Sequence, residues 1–260
     1  MILLAGTAAG VGVAATKMVD LGGSGLAEST PTAAPTNSAS TAVAPITAPE
    51  RAPVTPEPMV SVSPGLDMTL HSLDDPASVW VVVNKARAID PERWAPPQLD
   101  SEGGAALVPE ASRALVRMRA AAADTGATLS VGTGYRAHGF QHYIYADYVS
   151  RWGRERADRF SARAGHSEHQ TGWAVDVYGS RACRLKECFA QEPAGQWVAA
   201  HGHEYGFIVR YPPGTEAITG YKHEPWHLRY VGVELATAMH ERDIATMEEF
   251  FSLDPAPEYG

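Results

Sequence analysis

The 260-residue chain has few cysteines, no run of basic residues and no internal repeat. Lys and Arg together number 21 against 30 Asp and Glu, so the formal net charge is −9. This acidic balance argues against nucleic-acid binding as the main function, because phosphate backbones are bound by basic surfaces. The hydrophobic fraction of 45% is ordinary for a globular protein, so a normal core is expected.

Long hydrophobic runs are also lacking. The segment ILLAGTAAGVGVAAT before Lys17 is apolar or small throughout, but it is shorter than the roughly 20 residues that a membrane-spanning helix needs. Its length is typical of a signal-peptide core, so we assign residues 1–23 to such a segment and predict export. No Lys or Arg precedes it, which leaves an uncleaved membrane anchor as the alternative.

Residues 24–64 consist mainly of Ala, Pro, Thr, Ser and Val and contain few large apolar side chains. Such a stretch cannot bury enough apolar surface to offset the entropy of ordering it, and its prolines keep it extended. We therefore predict a disordered linker that tethers the domain after it.

The two cysteines, Cys183 and Cys188, lie close together in the stretch ACRLKECF. In an exported protein this spacing favours a small loop closed by a disulfide. Half a zinc site is one alternative, although no second Cys/His pair follows at zinc-finger spacing. Two free thiols in a surface loop are the other.

The remainder of the chain mixes helices and short strands without a regular βαβ alternation, which predicts an α+β fold. β-Branched or alternating segments predict strands that begin at Val79, Ala127, Thr171, Phe207 and Trp226. Periodic apolar residues and Pro or Gly boundaries predict helices over 109–126, 139–152, 193–206 and 233–251.

The second predicted helix carries large apolar residues at helical spacing. Phe140, Ile144, Tyr148 and Trp152 fall on one face. We expect this stripe to pack in the core, because that is the usual role of an apolar helix face.

Near the C-terminus, His223-Glu224-Pro225-Trp226-His227 matches H-E-x-x-H, the signature of helical zinc proteases. Inside a helix, however, Pro225 would remove a backbone hydrogen bond and clash with the preceding turn, at a cost of about 3 kcal/mol. The following residues favour a strand. We therefore expect no zinc-protease helix at this position.

A different metal site can be assembled from this region. The stretch GHSEHQTGWAVDV places His169 ahead of a predicted strand and Asp176 within it, and His227 lies on another strand. Two histidines and one carboxylate leave a fourth position open, as catalytic zinc sites require. Glu224 would be the base that activates the attacking water.

These residues also carry a family resemblance. The pattern S-x-H-x-x-G-x-A-x-D and the downstream E-x-W-H resemble the D-alanyl-D-alanine carboxypeptidase family of the VanY type. They are formed here by Ser167, His169, Gly172, Ala174 and Asp176, and by Glu224, Trp226 and His227. The resemblance extends over about 79–232 and includes GYRAHGFQ and YGFIVRYP.

The resemblance implies a zinc peptidase whose fold is shared with D-Ala-D-Ala dipeptidases and the Hedgehog signalling domain. We accordingly predict one α+β zinc-peptidase domain, with a small antiparallel sheet and flanking helices, over residues 65–254. Its core would span 79–232, and residues 255–260 would form a C-terminal tail.

The family also implies roles for individual residues. One Zn²⁺ per chain would be held by His169, Asp176 and His227, with Glu224 as the catalytic base. Arg136 would face the substrate and stabilise its oxyanion, although an ordinary salt bridge is the alternative. Ser167 and Gln141 would line the substrate pocket; for Ser167, the alternative is a hydrogen bond within the ligand loop.

The function that these expectations favour is a D,D-carboxypeptidase acting on peptidoglycan stem peptides. It would work outside the cytoplasm, secreted or membrane-anchored at the bacterial cell wall through its N-terminal segment. On the same zinc core, the alternatives are an L,D-carboxypeptidase, a D,D-dipeptidase or a peptidoglycan endopeptidase. A wall-binding module without turnover is a further alternative, which the presence of both Glu224 and Arg136 argues against.

Overall fold

The computed structural model describes residues 66–260. The segments assigned above to a signal peptide or anchor, 1–23, and to a linker, 24–64, lie outside the described residues. Within 66–260, the helices are all too short or too polar to cross a membrane. The proposed domain boundaries stay predictions.

A four-stranded antiparallel sheet with strand order β1-β2-β4-β3 forms the centre of the fold. The strands are β1 (Ser130–Thr133), β2 (Ala174–Tyr178), β3 (Phe207–Val209) and β4 (His227–Tyr230). Directly opposite residues of antiparallel strands share a face of the sheet. Because Thr133 pairs with Asp176 and Asp176 pairs with His227, these three side chains form a row across the sheet.

Seven α-helices surround the sheet in the described part of the chain. They are α1 (Pro109–Asp124), α2 (His138–Trp152), α3 (Arg154–Asp158), α4 (Pro193–His201), α5 (Glu216–Thr219), α6 (Val233–Glu241) and α7 (Met247–Phe250). The small antiparallel sheet with flanking helices confirms the predicted α+β fold.

The core lies between the sheet and α1. This helix begins at Pro109, which needs no hydrogen-bond acceptor in the first turn, and it buries Leu115 and Met118 completely. Leu228 of β4 and Leu235 of α6 are equally inaccessible. Fully burying such a side chain contributes about 1.5–3 kcal/mol, so this cluster is the main support of the sheet.

The prediction of a strand from Val79 is wrong, although the segment is buried as expected. Residues 79–83 are all buried, but they form no strand. Arg229 explains the difference, because its Nη2 donates hydrogen bonds to the carbonyls of Val79 and Val81. A buried side chain thus takes the place of a neighbouring strand as the hydrogen-bond partner.

The apolar stripe of α2 does not pack in the core, contrary to expectation. Phe140 is 57% exposed and Trp152 is 42% exposed, and Gln141 is the buried residue of the helix. The stripe instead borders a cavity, described below.

The last predicted helix is also divided. Residues 233–251 form α6 and α7, which are separated by a break where Asp243 has a φ of 53°. The Thr246 side chain accepts a hydrogen bond from the Glu249 N–H and so starts α7 as a new helix.

Candidate metal centre and active site

Three buried side chains, His169, Asp176 and His227, come together at the sheet. Strand pairing places Asp176 beside His227, and His169 lies on the 3-10 helix Glu168–Thr171 just before β2. The Oδ1 atom of Asp176 is 3.4 Å from His169 Nε2 and 3.4 Å from His227 Nδ1. One ligand atom from each residue lies within 4.8 Å of the others.

Both imidazoles direct a free nitrogen toward the same point. His169 Nδ1 is 2.8 Å from the carbonyl oxygen of Gly134, which can only accept, so Nδ1 carries the proton. His227 Nε2 is 3.2 Å from a carboxylate oxygen of Glu168 and donates to it. The nitrogens that face Asp176 are therefore available as metal ligands, an arrangement typical of metal-binding histidines.

The spacing of these atoms fits a small tetrahedral metal ion. Ligand atoms about 2.0–2.1 Å from a tetrahedral zinc are about 3.4 Å from one another. The two nitrogen–oxygen distances have this value. A set of two nitrogens and one carboxylate oxygen is also a donor set of catalytic zinc sites.

The electrostatics of the cluster favour positive charge at its centre. Burial lowers the pKa of His227, but the neighbouring Asp176 and Glu168 carboxylates outweigh burial and raise it to about 9. Burial raises the pKa of Asp176, but His169 and His227 outweigh burial and hold it well below its usual range. A bound metal ion would take the place of the proton that this raised pKa keeps on His227.

Glu224 lies in the turn before β4 rather than in a helix, which confirms that the zinc-protease helix is absent. Its N–H donates to the carbonyl of Tyr211, and its own carbonyl accepts from the His227 N–H, both at 3.0 Å. Burial raises the pKa of the Glu224 carboxyl to about 8, against lowering by His227 and Arg136. The backbone thus fixes this carboxyl beside the three-residue cluster.

Arg136 approaches the cluster from the segment before α2. One terminal nitrogen lies 3.8 Å from Asp176 Oδ2, and the other donates to Gln141 Oε1 at 2.7 Å. Its Nε is buried and has no hydrogen-bond partner among the described residues. Because a buried donor without a partner is costly, this N–H is suited to an oxygen of a bound ligand.

Gln141 lies beneath the cavity rather than in its lining. Its side chain is fully buried and donates to the carbonyl of Ala162. It therefore reaches the site indirectly, through its hydrogen bonds to Arg136 and Ala162 of the cavity lining. Ser167, in contrast, does line the cavity, and its side chain makes no capping hydrogen bond to the 3-10 helix that follows.

A cavity of about 370 Å³ opens onto the cluster, Glu224 and Arg136. One wall consists of Phe140, Ile144 and Tyr148 from the α2 stripe, together with Phe160. Leu185 contributes to the lining as well. An apolar cleft with a few convergent polar groups is the usual form of a small-molecule or peptide site.

Leu185 is held by a short disulfide-closed loop. Cys183 and Cys188 are bonded, with their Cα atoms 5.4 Å apart, and Leu185 lies between them with a φ of 54°. Within the same loop, the Arg184 guanidinium lies over the Tyr178 ring. The disulfide-closed loop thus contributes Leu185 to the wall of the cavity, a place that its sequence spacing did not indicate.

Behind His227 lies a buried ionic network that the sequence analysis did not identify. Glu168 makes ion pairs with Arg210 at 2.8 Å and Arg229 at 3.2 Å, and Arg210 also pairs with Glu248 of α7 at 2.7 Å. All four side chains are inaccessible to solvent. The one available signal was the position of Glu168 beside His169 in SEH.

The remaining histidines lie outside the cavity lining. His138 pairs with Glu92, His166 contacts the carbonyl of Asn84, and His201 pairs with Glu204. His203 stacks on His240 with ring centroids 3.7 Å apart. His223 faces a separate apolar pocket, so H-E-x-x-H contributes only Glu224 and His227 to the site.

Comparisons with known proteins identify the family that this chain resembles. The family model described as VanY, D-alanyl-D-alanine carboxypeptidase, matches residues 104–233. This match includes the residues proposed above for metal binding, catalysis and substrate contact: Arg136, Ser167, His169, Asp176, Glu224 and His227.

Individual relatives match over most of the described region. The protein YodJ of Bacillus subtilis (strain 168) is 37% identical over 193 residues, which cover 70% of each chain. The structure of the LdcB LD-carboxypeptidase is 36% identical, with a TM-score of 0.63, and covers 68% of this chain and 87% of that one. A vancomycin-resistance D,D-pentapeptidase, a VanY mutant in complex with Zn(II), is 29% identical with a TM-score of 0.58. It covers 66% of this chain and 97% of its own.

Proposed function

The chain belongs to the VanY family of D-alanyl-D-alanine carboxypeptidases, and we propose that it is a zinc-dependent D,D-carboxypeptidase of peptidoglycan stem peptides. It would remove the C-terminal D-alanine from stems ending in D-Ala-D-Ala. Because that substrate lies outside the membrane, the enzyme would act outside the cytoplasm.

One observation carries the proposal: three metal-ligand atoms converge beside a buried carboxyl, Glu224, at the end of a peptide-sized cavity. The donor set and the 3.4 Å spacings fit zinc, and a VanY relative is a zinc complex. His169, Asp176 and His227 would hold the ion.

In the proposed hydrolysis, each side chain of this site has a separate role. Zinc, when bound, supplies Lewis-acid chemistry that acidifies water and polarises a carbonyl. Glu224 accepts a proton from the attacking water as the carbon–oxygen bond forms. It then gives that proton to the nitrogen of the departing D-alanine as the carbon–nitrogen bond breaks. Burial raises the pKa of this carboxyl to about 8, which favours donation to the leaving nitrogen. The positive charge of a bound zinc would lower that pKa, which favours acceptance of the water proton.

Arg136 and Ser167 would orient the peptide. The unpartnered Nε–H of Arg136 would donate to an oxygen of the peptide, where negative charge develops during attack. Ser167 would contribute its hydroxyl from the cavity lining. Gln141 would act indirectly by fixing the Arg136 guanidinium.

An L,D-carboxypeptidase is the second candidate. LdcB, which is named for that activity, is 36% identical to this chain, whereas the zinc-bound VanY enzyme is 29% identical. The same ligands and base would serve both reactions, because the difference lies in the residue that precedes the cleaved bond.

A kinetic comparison distinguishes the two candidates. The zinc-loaded full chain is given a pentapeptide ending in L-Lys-D-Ala-D-Ala and, separately, the tetrapeptide ending in L-Lys-D-Ala. A D,D-carboxypeptidase releases D-alanine from the pentapeptide with at least about tenfold higher kcat/KM, a transition-state preference of about 1.4 kcal/mol. The reverse preference would establish the L,D activity instead.

A further inference from the structure

A second cavity adjoins the active site at its far end. It is lined by aromatic side chains, Trp152 and Phe160, and by the segment around α3. Its cationic lining residues are Arg154, Arg156, Arg159 and Lys222, against one carboxylate, Glu155. We call it the basic pocket. A concentration of four cations is notable in a chain with a net charge of −9.

Most of these cations are not neutralised by the protein. Arg159 pairs with Glu216 at 2.8 Å. In contrast, none of the carboxylates described between 66 and 260 forms an ion pair with Arg154, Arg156 or Lys222. The pocket therefore retains an unbalanced positive charge that can attract an anion.

The basic pocket lies next to the active-site cavity. Phe160 lines both cavities. Tyr148, in the active-site wall, stacks on Trp152 with centroids 5.1 Å apart, and Trp152 meets Phe160 at 5.3 Å. The α2 stripe thus forms a partly exposed apolar surface between the two, of the kind that usually marks a binding site.

The direction and length of this surface fit a peptide. The start of α2 is at the catalytic end, because Arg136 precedes it and contacts Asp176. From Phe140 to Trp152 the helix rises about 18 Å, at 1.5 Å per residue. An extended peptide covers that distance with about five residues, at 3.3–3.6 Å each. A peptide whose C-terminus lies at Glu224 would bring a residue three to five positions upstream to the basic pocket.

We propose that the basic pocket is a substrate subsite for a carboxylate that the peptide carries three to five residues before the cleaved bond. The α2 stripe guides the intervening residues, and Arg154 and Lys222 bind the carboxylate. This subsite rests on the proposed peptidase function, since it places the C-terminus of the peptide at Glu224.

The test uses matched peptides that end in D-Ala-D-Ala. One series carries a single Glu at two, three, four or five positions before the cleaved bond, and the other carries Gln at the same positions. The full zinc-loaded chain is compared with the Arg154→Ala/Lys222→Ala double variant. Arg151→Ala is the matched control, because Arg151 lies on α2, is 61% exposed and lines neither cavity.

For the best-placed Glu, we expect the double variant to raise KM about 3- to 10-fold, as the loss of one or two partly exposed charge pairs would. The matching Gln peptide should show no change in KM, and kcat should be the same for both because the subsite does not touch the reacting atoms. Added salt should reduce the advantage of Glu over Gln. The control variant should resemble the unmodified chain.

Equal KM values for Glu and Gln peptides at all positions would overturn the subsite. So would a double variant that weakens both series equally. Binding is measured in parallel by calorimetry on the full-length Glu224→Gln variant with the same peptides. If no peptide is cleaved, the peptidase function fails, and the calorimetric difference between Glu and Gln still decides the subsite.

Discussion

At the scale of single residues, the proposed chemistry depends on a few side chains whose types and spacing are visible in the sequence. His169, Asp176, Glu224 and His227 follow from S-x-H, from A-x-D and from E-x-W-H. The sequence does not show which nitrogen of each imidazole faces Asp176, because that depends on acceptors far away in the chain. Glu168 was missed for the same reason, since its partners Arg210 and Arg229 are 42 and 61 residues away.

Metal content distinguishes the proposed zinc site, formed by His169, Asp176 and His227, from the helical zinc-protease arrangement of H-E-x-x-H. We expect His169→Ala and Asp176→Ala to lose the roughly one zinc per chain of the unmodified protein, because each removes one of three ligands. His223→Ala should keep it, since His223 faces a different pocket. Elemental analysis after dialysis makes the measurement. Zinc lost from His223→Ala and kept by Asp176→Ala would restore the helical zinc-protease arrangement.

The buried Nε–H of Arg136 has no hydrogen-bond partner within residues 66–260, so we expect it to act on the substrate, and turnover tests this role. Arg136→Ala should lower kcat about 10²- to 10³-fold, the usual effect of removing a donor to a developing oxyanion. Zinc content should be unchanged, because Arg136 supplies no ligand atom. A variant with normal kcat would leave Arg136 as a salt-bridge partner of Asp176.

At the scale of elements, the position of α2 was predictable but its packing was not. An apolar stripe at helical spacing is the same whether it faces the core or the wall of a cavity. Only the tertiary structure shows which of the two the stripe faces. Phe140 and Trp152 are exposed, and the stripe borders the cavity. Likewise, residues 79–83 have the composition of a strand. Arg229, which is distant in sequence, instead donates hydrogen bonds to the carbonyls of Val79 and Val81.

The disulfide loop is an element whose role can be tested without touching the catalytic groups. In the Cys183→Ser/Cys188→Ser variant, Leu185 is no longer held against the cavity by a closed loop. We expect KM for the peptide to rise about fivefold, because the loop must then be ordered on binding at about 1 kcal/mol. The effect on kcat should be smaller.

A Leu185→Ala variant with the disulfide intact provides the comparison. It should raise KM similarly, since it removes the same wall. An unchanged KM in both variants would show that the loop does not contact the substrate.

At the scale of the whole molecule, a buried network joins the candidate metal site to α7; it consists of Glu168, Arg210, Arg229 and Glu248. Burial raises the pKa of Glu248, but Arg210 outweighs burial and lowers it below its ordinary 4.5. A carboxyl with a lowered folded-state pKa stabilises the protein above pH 4.5, and this stabilisation is lost as the pH falls further. The network therefore predicts an acid-sensitive fold.

Glu248→Gln should lower the free energy of unfolding at pH 7 by about 3–5 kcal/mol, because it leaves a buried Arg210 with less compensation. It should also flatten the fall in stability below pH 4.5. Glu216→Gln, which breaks the exposed pair with Arg159, is the control and should cost less than about 1 kcal/mol. Urea unfolding at several pH values makes the comparison, and equal losses in the two variants would contradict the role of the buried network.

In the proposed mechanism, Glu224 moves the proton in a zinc-dependent cleavage of one terminal D-alanine. The most direct measurement incubates the zinc-loaded full chain and its Glu224→Gln variant with a stem pentapeptide, and mass spectrometry identifies the products. We predict release of a single D-alanine, with a rate at least about 10²-fold lower in the variant, which keeps its zinc. Undiminished cleavage by Glu224→Gln, or release of a dipeptide instead of one D-alanine, would contradict the account.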